Sequence, residues 1–131
     1  MELTEEVWRR TFAPKGIVRK GATLMATSKV RPMVSDAVTA DPKHYKVEFE
    51  NDSVRVVRAR YGPREKSVMH SHSELVCTFL TDCRFKFTYP DGKTEDINAK
   101  AGDILPHEAF EHLPENVSDK PFEAILVELK R

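Results

Sequence analysis

The sequence predicts an all-β domain with an extended N-terminal arm, and three observations carry that expectation. From Tyr45 onward, short runs rich in Val, Phe and Tyr are punctuated by turn residues at close intervals, the signature of a sandwich or barrel. Past the first dozen residues, no stretch holds the 3.6-residue apolar period of a long helix. The length, 131 residues, suffices for one domain with a proper core and is too short for two.

The arm is assigned to residues 1–40 and the domain to 41–131. Within the arm, Leu3 to Phe12 reads as a short amphipathic helix, with Thr4 as N-cap, Glu5 and Glu6 in the first turn and Arg9 and Arg10 in the last. Between Val7 and Ser35 there is no acidic residue. That composition resembles an organellar transit peptide in part, but the acidic start at Glu2, Glu5 and Glu6 argues against one. The preferred reading is an arm that wraps its own barrel or a partner's.

The expected strands follow in order. Tyr45–Glu50 and Ser53–Tyr61 flank the turn residues Asn51-Asp52, and Gly62-Pro63 breaks the second run. Lys66–His72 and Leu75–Thr81 come next, with Asp82-Cys83 as a turn. Arg84 to Tyr89 alternates, Phe85, Phe87 and Tyr89 on one face and Arg84, Lys86 and Thr88 on the other. Pro90-Asp91-Gly92 is a hairpin signal, and Thr94–Ala99 returns. Ala101-Gly102-Asp103 turns into another short strand, and Phe122–Leu129 closes the chain.

Charge balances, 21 basic against 21 acidic residues, which gives no reason to expect a nucleic-acid partner. No run approaches the ~18 apolar residues of a membrane span, and no secretory signal stands out, so a cytoplasmic protein is expected. Cys77 and Cys83 make neither a disulfide framework nor a metal knuckle, and read as reduced thiols. Cys77 sits in an apolar run, where cysteine behaves as a small buried hydrophobe.

The residues that read as chemistry are His70 and His72, answered forty positions later by His112. On a strand, residues i and i+2 share a face, so His70 and His72 present two imidazoles side by side, and His112 could add a third from a neighbouring strand. Three imidazole nitrogens with open positions suit a divalent transition metal such as Fe, Zn, Ni or Mn. The plain alternative is three ordinary strand histidines.

The stretch from Gly62 to Asn116 resembles the two motifs of the cupin family, the small double-stranded β-helix (jelly-roll) barrels. The first motif appears as Gly62, then His70-Ser-His72, running to a turn position at Cys83. The second appears as Gly102-Asp103, Pro106, and His112-Leu-Pro-Glu-Asn116. The resemblance covers about the last ninety residues and implies that His70, His72 and His112 are metal ligands facing into the barrel. Counting back from Cys83, where the family prefers glycine, the usual glutamate ligand falls at Val76, so it is missing. Three readings follow: a bare three-histidine centre, Glu74 reaching the ion from a reshaped loop, or Cys77 ligating as a thiolate. His107 is a further histidine near the second motif, either beside the ligands as a shuttle or partner, or on the rim. Asn116 and Pro106 read as structural, and His44 shows no functional role.

What the resemblance implies about function is a class. A neutral three-histidine centre favours an anionic, oxygen-ligating substrate, and with iron it suits oxygenase chemistry. The expectation is a mononuclear, dioxygenase-like enzyme acting on a small organic acid or diketone. The alternatives are a non-catalytic cupin that binds metal or a small ligand, and a metal-free structural barrel. Met69, Phe79, Phe85, Phe87 and Phe110 are candidates for an apolar pocket wall. Among Arg58, Arg60, Arg64 and Arg84, one of the Arg58–Arg60 pair could point inward. Barrels of this kind commonly pair through edge strands, so a homodimer is expected.

Overall fold

A computed structural model describes residues 34–131. The helix expected over Leu3–Phe12, and the arm up to residue 33, lie outside the described residues. The described part opens with a one-turn helix, α1 (Ala37–Ala40), followed by nine strands: β1 (Tyr45–Glu50), β2 (Val54–Tyr61), β3 (His70–His72), β4 (Leu75–Phe79), β5 (Cys83–Thr88), β6 (Thr94–Ala99), β7 (Ile104–His107), β8 (Phe110–Asn116) and β9 (Phe122–Leu129). They form two antiparallel sheets, ordered β1-β2-β9-β4-β7 and β3-β8-β5-β6. The all-β double-stranded β-helix expected from the sequence is the fold observed.

Alternation explains which residues meet between the sheets. On β9, Phe122, Ala124, Leu126 and Glu128 are buried while their neighbours are half-exposed. On β4 the buried set is Leu75, Cys77 and Phe79, and on β2 it is Val57, Ala59 and Tyr61, with Arg55 in phase. The second sheet contributes Cys83 and Phe85 from β5 and His112, Pro114 and Asn116 from β8. The ring of Phe85 lies 4.6 Å from Phe122 and 4.9 Å from Tyr61, centroid to centroid. Burying each such side chain contributes about 1.5–3 kcal/mol.

Three local expectations are corrected. The strand expected over Lys66–His72 is only His70–His72; before it, Lys66 makes an isolated bridge to Glu115 and the Ser67 amide donates to the Pro114 carbonyl, single contacts with β8 that do not extend the ladder. The strand from Leu75 ends at Phe79, where the amides of Leu80 and Thr81 turn to the Glu123 carbonyl. Cys83 is not in the turn: it opens β5, paired with Ala99, and is buried with its side chain in the core. A positive φ occurs instead at Arg64, Gly92 and Gly102 among the described residues. Gly92 completes the Pro90-Asp91-Gly92 turn at φ 90°, a conformation glycine adopts without steric cost.

Asn116 has the structural part read from the sequence. Its side-chain amide, fully buried, donates to the carbonyls of Gly62 (3.0 Å) and Lys120 (2.9 Å) and accepts from the Ser118 amide (3.0 Å). It thereby ties the loops at the end of β8, the strand that carries His112.

Candidate metal centre

The three histidines converge because of strand period and register together. His70 and His72 are i and i+2 on β3 and share its inward face. β3 pairs antiparallel with β8 so that His112 stands directly opposite His70, and Phe110 opposite His72. All three imidazoles are buried. His70 Nε2 lies 3.1 Å from His72 Nε2, and His72 Nε2 lies 3.2 Å from His112 Nε2. One ligand atom from each of the three falls within 4.8 Å of the others.

These separations fit a shared ion. With metal–nitrogen bonds of about 2.1 Å, adjacent ligand nitrogens sit about 3.0 Å apart in an octahedron and about 3.4 Å apart in a tetrahedron. The outer nitrogens of His70 and His72 fit as well. The Nδ1 atoms of His72 and His112 are buried without a hydrogen bond, as is Oε2 of Glu128. Coordination through Nε2 leaves each Nδ1 as an N–H donor, which is what an adjacent carboxylate or hydroxyl requires. Burial, then the neighbouring His72, pushes His70 down to about 3, and the same two causes hold His112 well below the usual imidazole range. Neutral rings are the form that binds metal.

Two chains of polar groups stand behind the cluster. In the first, Ser67 Oγ lies 3.3 Å from His70 Nδ1 and donates to Asp41 Oδ2. The same Asp41 oxygen is 2.6 Å from His44 Nδ1, and His44 Nε2 is 2.9 Å from Glu65 Oε1. The His44 ring is also stacked on Tyr61 at 4.1 Å. Burial acts to raise the Asp41 carboxyl, but its bonds to Ser67 and His44 outweigh that and hold it below its ordinary value. In the second chain, His72 Nδ1 faces Glu128 Oε2 at 3.6 Å, slightly beyond hydrogen-bond length. Glu128 Oε1 accepts from Arg55 Nε at 2.8 Å, and Arg55 reaches Asp36 Oδ2 at 2.6 Å. Asp36 itself bridges to Ser71, between the two histidines of β3.

The remaining sequence candidates separate. Glu74 does not join the cluster: half-exposed, it pairs with Arg131 at 3.4 Å. Cys77 takes the inward position on β4 while Val76 points out, yet its sulfur also lies outside the cluster, and burial pushes its thiol up to about 12. His107 is on the wall of the cavity beside His72 and His112 but not among the converging nitrogens. Phe79, Phe85, Phe87 and Phe110 do line that cavity, whereas Met69 does not. Arg58 and Arg60 both turn outward to Glu123, so neither enters the barrel; the inward guanidinium belongs to Arg55.

Sequence reasoning missed Glu128, Asp41 and His44. Glu128 had a legible signal: it continues the inward set Phe122, Ala124, Leu126 at period two, where an acidic residue in core phase is expensive unless paired. Arg55 carries the same signal on β2, two positions before Val57. Asp41 and His44 lie in a connection between α1 and β1 with no period to read.

Comparison with known proteins agrees with this architecture. No family model matches the sequence, and no curated protein matches it. Solved structures do. A cupin domain from Bordetella pertussis Tohama I superposes with a TM-score of 0.62 at 26% identity, covering 66% of this chain and 92% of its own. An RmlC-like cupin family protein with a double-stranded β-helix fold from Methanocaldococcus jannaschii gives 0.52 at 20% identity, over 68% of this chain and 83% of its own. An uncharacterized conserved protein with a double-stranded β-helix domain from Klebsiella pneumoniae gives 0.52 at 19%, over 79% and 84%. The chain shares the double-stranded β-helix fold of these cupin structures.

Proposed function

We propose that this cupin is a mononuclear metal-dependent enzyme, dioxygenase-like in its chemistry, that acts on a small organic acid or diketone. The observation that carries the reading is the convergence of the His70, His72 and His112 Nε2 atoms, two of whose rings, His72 and His112, line a largely apolar cavity. A bound iron, zinc, nickel or manganese ion would supply Lewis acidity or, with iron, oxygen-activating chemistry. The chain's own residues do the rest. Ser67 and Glu128 orient two of the imidazoles from behind, and the rings of Phe85, Phe87 and Phe110 exclude water from the space in front. No Lys, Arg, Asp or Glu stands on the cavity wall, so an acidic substrate would have to be held by the ion. That same bareness favours the second reading, a cupin that binds metal or a small ligand without turning it over. Phe49, exposed on the edge strand β1, supports a homodimer.

Elemental analysis of protein purified without a polyhistidine tag, beside a His72→Ala variant, tests the reading. About one equivalent of metal, lost in the variant, is expected. Oxygen consumption with short organic acids then separates enzyme from binder. Absence of metal after reconstitution with iron, zinc, nickel and manganese would leave a metal-free barrel.

A further inference from the structure

The cavity in front of the histidines measures about 60 Å³. An apolar cavity of about 150 Å³ is what accommodates the six heavy atoms of benzene, so this one, at less than half that volume, admits only a few heavy atoms and no aromatic ring. Its polar inventory is short. The hydroxyls of Tyr45 and Tyr61 are spent on each other at 2.7 Å, and both thiols on the wall, Cys77 and Cys83, are pushed up to about 12 by burial. The polar group left over is the His107 imidazole, which makes no hydrogen bond to another described residue. It closes β7, and Phe110 opens β8 three residues later, both partly exposed, so this hairpin stands at the solvent side of the buried cluster. Phe110 separates the two imidazole environments: its ring is stacked on His72 at 5.3 Å and 28° and on His107 at 5.0 Å and 24°.

We propose that the ligand of this site is a compact carboxylate of a few heavy atoms, no larger than acetate, with Phe110 setting the size limit and His107 donating a hydrogen bond to its outer oxygen. The inference rests on the metal-centre reading and narrows it: three neutral nitrogens leave the ion's charge to be met by an anion, and the cavity is too small for a diketone of more than a few atoms. His107 acts here as a specificity-determining residue, distinct from the three histidines that would hold the ion.

Cobalt(II) is the probe for the ion, since its visible absorption reports both uptake and changes in its ligands. Acetate is expected to perturb the spectrum of the Co(II)-loaded protein at millimolar concentration, and benzoate is not. His107→Phe should weaken acetate about tenfold, the loss of one hydrogen bond to a charged group. Phe110→Ala should admit benzoate, and Ile97→Ala, which opens the wall from β6, provides a second enlargement if the first does not fold. Benzoate perturbing the unmodified protein as readily as acetate would overturn the size limit. Unchanged acetate affinity in His107→Phe would overturn the part given to His107. Failure of Co(II) to develop any ligand-field absorption would instead remove the metal centre, and this inference with it.

Discussion

Arg55→Met should be among the most damaging changes away from the histidines, and its cost can be worked from the structure. The guanidinium lies 2.8 Å from Glu128 Oε1, and the Glu128 side chain is only 5% exposed. At an effective dielectric of about 20, two unit charges at that distance attract by about 6 kcal/mol, most of which offsets the cost of removing both from water. Deleting Arg55 leaves the Glu128 carboxylate buried beside His72 with no cation. Breaking a buried pair in this way costs about 3–5 kcal/mol. Because the Arg55 side chain keeps 23% of its surface in solvent, the lower end, about 3 kcal/mol, is expected. Glu128→Leu should cost less, about 1 kcal/mol, since Asp36 still pairs with Arg55 at 2.6 Å. The double variant Arg55→Met/Glu128→Leu removes both charges and should lie within about 1 kcal/mol of the parent. Urea unfolding followed by circular dichroism, with chelator present so that metal does not contribute, measures all four corners of the cycle. If the double variant loses the sum of the two single losses, the two residues are independent and the reasoning fails.

Further outcomes are expected from the same structure. A metal ion added at a hundredfold excess over its Kd should stabilise the protein by about 2.7 kcal/mol, a rise in Tm on the order of 10 °C, absent in His72→Ala. Cys77 and Cys83, buried and both pushed up to about 12, should ignore a disulfide reagent in native protein and give two equivalents of thiol in denaturant. Asp41→Asn should cost about 1–3 kcal/mol near neutral pH, because Ser67 and His44 lose a charged acceptor. Its folded-state pKa is depressed, so the carboxylate's contribution is present above its ordinary value of 3.8 and disappears as pH falls through the lower folded value. Acid titration of stability should therefore be steeper below about pH 4 in the parent than in Asp41→Asn.

The three histidines were legible because their placement depends on short-range rules. Period two puts His70 and His72 on one face whatever the rest of the chain does, and the spacing to His112 resembles a known motif. The choice between Val76 and Cys77 was not legible, because a strand's phase relative to the core is set by what it pairs with. Register against β9 and β7 turns Cys77 inward. Cys83 shows the same dependence: beside Asp82 it reads as a turn residue, and pairing with Ala99 makes it the first residue of β5.

By itself, then, the sequence determined the all-β class, most of the strands, and the identity of the converging imidazoles, all of which follow from alternation and turn chemistry within a few residues. Only the tertiary structure decided what stands behind them. Glu128 and Arg55 are 73 positions apart and meet because β2 and β9 pair in one register. Asp41 reaches Ser67 across 26 positions, through a connection with no periodicity. A side chain's alternation is a property of its own strand, whereas a buried charge's partner is a property of the register between strands, and a slip of one residue would turn Glu128 out to solvent and leave Arg55 and His72 without it.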